Sequence, residues 1–272
     1  MVGQRAFWAL GAFLQVHHSA SQGSLNFFFG LRHPRQFVRM SSSDIILSYN
    51  DAILRTRDLD ILRGPHFIND RIIEFYFSYL STFHSLGDDV LLVPPSISFW
   101  TTHCSDTKTL HDVLDPLHLP RKRLVIFTVN DNEDVCLQDG GTHWSLLVYD
   151  RKMNRSVHHD SLSRMKVNRP HAVRLLKAIQ GEFLKTAGDV MFVEERTPEQ
   201  RNGYDCGLYV MAIAKIICDW WCGQIGSSDD SKQERWVSNV METVTSTSVD
   251  DFRTEILHLI KSLMEEKQRQ RR

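Results

Sequence analysis

The sequence predicts an α+β domain with a central mixed sheet flanked by helices, and three observations carry that expectation. Arg123–Asn130, Trp144–Tyr149 and Ser156–Asp160 are short apolar runs of the kind that fill strands buried on both faces. Pro170–Lys185 places Val173, Leu176, Ile179 and Phe183 along one stripe at helical spacing. Cys206–Cys222 is a longer and almost wholly apolar stretch, the pattern of a helix inside a core. With 272 residues, 42% hydrophobic and 24% charged, the chain can bury one sizeable core around such a sheet.

The remaining elements follow in order. Asp44–Arg55 holds apolar residues compatible with a strand or a short helix. Gly64-Pro65 is a break, after which Asn69 or Asp70 can cap a helix carrying Ile73, Phe77 and Leu80 at helical spacing. Val90–Val93 reads as a short strand stopped by Pro94-Pro95, with helices following over Ser96–His103 and Thr107–Leu114. Asp131–Thr142 is polar and ends in glycines, so a loop is expected there. Val190–Val193 reads as a further strand, and charged helices over Gln233–Ser246 and Val249–Gln268 precede a basic tail. The first 43 residues differ in kind: they contain no Asp or Glu but four Arg. Three readings stand for them: an organelle transit peptide, a secretory signal, or an extension upstream of a working start at Met40. The folded domain is expected over residues 44–272.

Composition bounds the function. A net charge of -1 gives no argument for a nucleic-acid partner. Five scattered cysteines do not form the framework of a secreted disulfide-rich domain and suit a reducing compartment, cytoplasm or nucleus. No run approaches the roughly 20 apolar residues of a membrane span.

Four residues supply the parts of a thiol hydrolase. A free cysteine in an apolar helix is by default a small buried hydrophobe. Cys206 differs by position: it follows Asp205, a possible N-cap, so it falls in a first turn whose free amides and dipole favour an anion. Gly207 beside it leaves room for a substrate backbone. His143, after Gly140-Gly141 at the start of a buried strand, can project from the sheet end as general base and then acid. Asp160, at the end of the neighbouring strand, can hold the His143 tautomer; its plain alternative is a turn residue. Gln200, in a polar loop, can add a side-chain amide to the Cys206 N–H around an oxyanion. Cys218 and Cys222 read as core, and a metal site built from them with His158 or His159 lacks the second close pair of a zinc pattern. No metal or organic cofactor is needed for this chemistry.

These residues stand in longer matching stretches: Gly140–Tyr149, Asp160–Arg164, Phe192–Glu195, Gln200 with Asp205-Cys206-Gly207, and Ile68–Asp70. In them the chain resembles the sentrin/SUMO-specific protease family of ubiquitin-like-modifier proteases, and most closely its deneddylase branch. The resemblance implies a papain-like fold with the order of Cys and His reversed, and a cysteine isopeptidase that cuts after the terminal Gly-Gly of a modifier. It implies that Trp144 roofs a channel for the Gly-Gly tail, and it raises Asn69 and Asp70, equally good as helix-cap residues, as contacts to the modifier. A Nedd-type modifier on cullins and other targets is the expected partner of a monomeric enzyme. The alternatives are a SUMO-specific protease, a non-catalytic modifier-binding module, and an acyltransferase using the same triad. His159 departs from the family pattern, which places an aromatic there.

Overall fold

The computed structural model describes residues 43–137, 140–186, 188–224 and 235–272. The leader expected over residues 1–43 lies, all but Ser43, outside the described residues. Asp44–Arg55 forms a hairpin: β1 (Ile45–Tyr49) and β2 (Ala52–Arg55) pair antiparallel. Asn50 takes the left-handed conformation its turn needs, at φ 48°. The main sheet has five strands in chain order: β3 (Val90–Leu92), β4 (Leu124–Asn130), β5 (Trp144–Asp150), β6 (Arg155–His159) and β7 (Met191–Glu195). The central three form an antiparallel meander, and each edge strand joins parallel. The sheet is therefore mixed.

Helices cover both faces. β4 and β5 alternate their side chains between two cores, which is why each reads as an unbroken apolar run. Leu124, Ile126, Leu146 and Val148 pack with α2 (Asp70–Phe83), α6 (Cys206–Gln224) and α8 (Ser246–Gln270). Val125, Phe127, Leu147 and Tyr149 pack toward α3 (Pro95–His103), α4 (Thr107–Leu114) and α5 (Arg169–Ile179). The stretch Cys206–Gly223 is long and apolar enough, by length and composition alone, to cross a membrane, contrary to the sequence reading. Most of it is buried inside the fold, as befits a helix that is apolar all round.

Three boundaries differ from expectation. α5 stops at Ile179: Gln180 is extended, Gly181 turns at φ +74°, and Phe183 reaches the same core from beyond the helix. The apolar stripe therefore continues past the helix that began it. α1 (Thr56–Arg63) is not foreshadowed by any apolar run; at its start the Asp58 carboxylate accepts from the Arg55 amide (2.7 Å), and it buries only Leu59, Leu62 and Asp58. α7 is Arg235–Thr243, and α8 begins at Ser246 behind a Thr245–Ser248 capping box.

Candidate active site

Cys206 is the first residue of α6 and only 1% exposed. The helix starts on the Asp205 carbonyl, which accepts from the amides of Leu208 (2.8 Å) and Tyr209 (3.1 Å). The Asp205 carboxylate makes other bonds: Oδ2 accepts from Asn202 (2.5 Å) and Oδ1 from Arg253 of α8 (2.6 Å). The dipole and free amides of the first turn remain aimed at Cys206, where they stabilise an anion.

His143 enters at the mouth of β5, with its backbone held on both sides. Asp131 accepts from the His143 amide (2.9 Å) and from the Thr142 amide (2.6 Å). On the other side, Asn130 (3.3 Å) and Asn168 (3.2 Å) donate to the His143 carbonyl. Gly141 is at φ +83°, and a Cβ there would collide with the Asn130 side chain, so this approach to His143 needs glycine. The ring is buried, and Nε2 bonds Asp160 Oδ1 at 2.6 Å. Nδ1 has no partner at full hydrogen-bond geometry, and Cys206 is the side chain that interacts with the ring besides Asp160. Burial is the strongest single influence on His143 and disfavours its charge. The hydrogen bonds and charges of Asp160 and Cys206 together outweigh it and lift the pKa to about 9. Asp160 follows β6 and also accepts from the Leu162 amide (2.8 Å). Burial pushes its carboxyl up, but the bond and charge of His143 and the Leu162 amide hold it below the usual range.

Gln200 is buried and oriented at both ends of its amide. Ser161 donates to Oε1 (2.7 Å), and Nε2 donates to the Asn202 carbonyl (2.7 Å). One N–H is engaged, and an amide nitrogen has two.

The residues read from sequence as substrate contacts fall on or against the segment Ile68–Asp70. Trp144 donates its indole N–H to the Ile68 carbonyl (3.0 Å). Ile68 fills the space beside Gly207, where a Cβ would lie 2.6 Å from that of Ile68. On that side Gly207 serves close packing and leaves no room for a substrate backbone, which corrects the sequence reading. Asn69 caps α2, accepting from the Ile72 amide (3.1 Å) and donating to buried Asp58 (2.8 Å). Asp70, next along, has a side chain 46% exposed near Arg71.

The chain matches the C-terminal catalytic domain of the Ulp1 protease family over residues 121–267. It belongs to that family. It is 49% identical over 227 residues to NEDD8-specific protease 1 of Arabidopsis thaliana, covering 83% of this chain and 96% of the relative. It is 40% identical over 177 residues to Sentrin-specific protease 8 of Homo sapiens, covering 64% and 81%. Among solved structures, the yeast Ulp1 protease domain in complex with Smt3 superposes with a TM-score of 0.57 at 20% identity, covering 83% of this chain and 90% of that one. The chain is thus a cysteine-type peptidase with the Ulp1 α+β fold.

Several residues around the Ulp1-family site were not singled out from sequence: Asp131, Ser145, Asn168, Asn202 and Arg253. They are polar residues of unremarkable types, and only their partners distinguish them. His158 runs in a chain from Glu194 (2.7 Å) through Ser145 (2.9 Å) to Asn168 (3.0 Å), so it is bonded inside the sheet face. His159 packs edge-on against Trp236, with ring centroids 5.3 Å apart, and burial pushes its pKa down to about 3. A flat neutral ring thus fills the place of the family's aromatic. Cys218 and Cys222 do not converge with these histidines among the described residues. His103, Glu133 and His171 offer metal-ligand atoms within 4.8 Å of one another, but Arg174 holds both carboxylate oxygens of Glu133 (3.0 and 3.3 Å).

Proposed function

We propose that this Ulp1-family enzyme is a cysteine isopeptidase that removes a NEDD8-type modifier from lysines of cullins and other targets, working as a monomer in cytoplasm or nucleus. Cys206 is the nucleophile, His143 its base and then its acid, Asp160 the group that orients the ring, and Gln200 with the Cys206 N–H the oxyanion donors. One observation carries the reading: a buried histidine, charged at neutral pH, bonds an aspartate on one nitrogen and interacts with a helix-N-terminal cysteine. The 49% identity to a relative named NEDD8-specific protease 1 supports the choice of modifier.

The steps follow from that geometry. The Cys206 thiolate attacks the carbonyl of the modifier's last glycine, and the oxyanion takes the free Gln200 N–H and the Cys206 amide. The His143 imidazolium gives its proton to the departing lysine amine as the tetrahedral intermediate collapses to a thioester. Neutral His143 then takes a proton from water, which attacks the thioester and frees the modifier and Cys206. Asp160 keeps the ring in the tautomer whose Nδ1 faces the sulfur. Trp144 roofs the Gly-Gly tail, Asp70 contacts an arginine of the modifier, and Asn69 holds that helix end in place.

The test is a panel of modifiers carrying a C-terminal electrophile, NEDD8-type and SUMO-type, read by mass spectrometry. Coupling of the NEDD8-type probe to Cys206, absent in Cys206→Ala, is the expected result. Faster coupling of the SUMO-type probe would overturn the modifier, and coupling at another cysteine would overturn the nucleophile. Asp70→Ala should weaken NEDD8-type binding and leave iodoacetamide modification of Cys206 unchanged.

A further inference from the structure

Arg253 lies on α8, far along the chain from every residue given a role above, yet all four N–H groups at the end of its guanidinium are engaged. Nη1 donates to the carbonyls of Ile61 (2.9 Å) and Gly64 (3.0 Å), and Nη2 to the carbonyl of His66 (3.1 Å) and to Asp205 Oδ1 (2.6 Å). Its side chain is 12% exposed, that of Asp205 4%, and the guanidinium lies over the Tyr204 ring at 5.7 Å. A pair this buried is not explained by surface attraction.

Two routes lead from it into the site. On one side Asp205 Oδ2 takes the Asn202 amide, and the Asn202 carbonyl takes Gln200 Nε2, so the chain ends at the oxyanion amide. On the other, the three carbonyls belong to the segment that leads into Ile68, which packs on Gly207 and accepts the Trp144 indole N–H. One planar cation thus spans the oxyanion side and the channel side, with the nucleophile between them. A planar fork of fixed donors can set such a spacing, and a flexible ammonium cannot.

We infer that Arg253 is a positioning residue for catalysis: it fixes the Gln200 amide, through Asp205 and Asn202, relative to the channel wall formed by Ile68 and Trp144. This rests on the reading of Cys206 and Gln200 proposed above. Arg253→Lys keeps the charge but cannot reach four acceptors, and Arg253→Met keeps the length without charge. Each should lower kcat for a NEDD8-type amide reporter about 10- to 100-fold, the effect expected when reacting groups shift by a fraction of an ångström to 1 Å. KM should change far less. Iodoacetamide, which needs neither oxyanion donors nor channel, should modify Cys206 in both variants within about twofold of the parent rate, the resolution of such a comparison.

Melting curves define the temperature at which each variant is folded, and kinetics are compared below it. If Arg253→Met does not fold, Arg253→Lys decides alone. A parent-like kcat in the folded variants overturns the inference. So does a fall in iodoacetamide modification parallel to the fall in kcat, which would mark a general loosening of α6. A parent that neither cleaves nor couples to any modifier probe would instead sink the underlying reading, and this inference with it.

Discussion

Ser161 is the residue whose contribution is easiest to isolate. Its hydroxyl donates to Gln200 Oε1, so it sets which way round that amide lies. Ser161→Ala removes that instruction while leaving Gln200 in place, and kcat for an amide reporter should fall about 10-fold, less than loss of an oxyanion donor itself. Gln200→Ala should cost about 100-fold or more in kcat and gain little from the added Ser161→Ala change. Additive losses would show that the two act separately. On the proposed reading the His143 imidazolium, lost as pH rises through about 9, is the acid for the departing amine and sets the alkaline limit of cleavage. Asp160→Asn takes away the charge that opposes desolvation of the ring, so the alkaline limb of the kcat/KM profile should move to lower pH. An unmoved limb would assign it to another group. At this scale the four candidates could be picked out because few residue types perform this chemistry, and the structure brings His143 against Asp160 and Cys206. Ser161 and Asn202 could not, because a serine or asparagine acquires its part only from what the fold puts beside it.

Elements were legible where burial is two-sided. β4 and β5 declare themselves by unbroken apolar runs because both faces lie under helices. α1 stayed hidden because its residues are mostly polar and its start rests on one bond, the Arg55 amide to the Asp58 carboxylate. The α5 terminus was misplaced because core contact outlasts helical geometry at Phe183. The junction of α6 with the segment before α2 offers a test at this scale. Gly207→Ala would place a methyl 2.6 Å from Ile68 Cβ, so either α6 or Ile68 must yield. The expected loss is about 1–3 kcal/mol of stability, together with a fall in kcat/KM, since Ile68 also receives the Trp144 indole. Ile68→Ala in the same chain keeps the Cβ of that contact and should restore little of either. Melting and reporter cleavage of the single and double variants check it, and a parent-like Gly207→Ala enzyme would contradict the packing.

For the whole molecule, half-buried Glu74 and buried His143 and His159 carry large shifts that shape stability against pH. Glu74 is lifted from 4.5 to about 7, first by burial and then by the charges of Asp70 and Asp51. The advantage its proton gives the fold is complete below pH 4.5 and lost as pH rises through 7. His143, raised from 6.5 to about 9, loses its advantage over that later window. His159, lowered from 6.5 to about 3, acts in the opposite sense and weakens the fold as pH falls below 6.5. Glu74 and His159 oppose each other between about pH 4.5 and 6.5, and among the described residues no resolved shift opposes His143 above 7. The melting temperature should therefore be nearly level from pH 5 to 6.5 and fall toward pH 9. Glu74→Gln should melt about 2 to 6 °C above the parent at pH 8 and level with it near pH 4. Calorimetry across that range checks both, and a melting temperature that climbs from pH 7 to 9 would refute the account.

The arrangement of the sheet also dictates an order of assembly. β5 and β6 are joined by four residues (151–154) and β4 and β5 by 13 (131–143), with no helix among those described, while β3 and β7 must each wait for a helical crossover before pairing. Loop-closure entropy makes the meander the cheapest long structure to nucleate. It carries His143 at one strand mouth and Asp160 just beyond another, so this bonded pair meets while Cys206 is still unplaced. Pulsed hydrogen exchange during refolding should protect the amides of Leu124–His159 before those of α6. A refolding chain would then pass through a stage with its ion pair assembled and no means of attack.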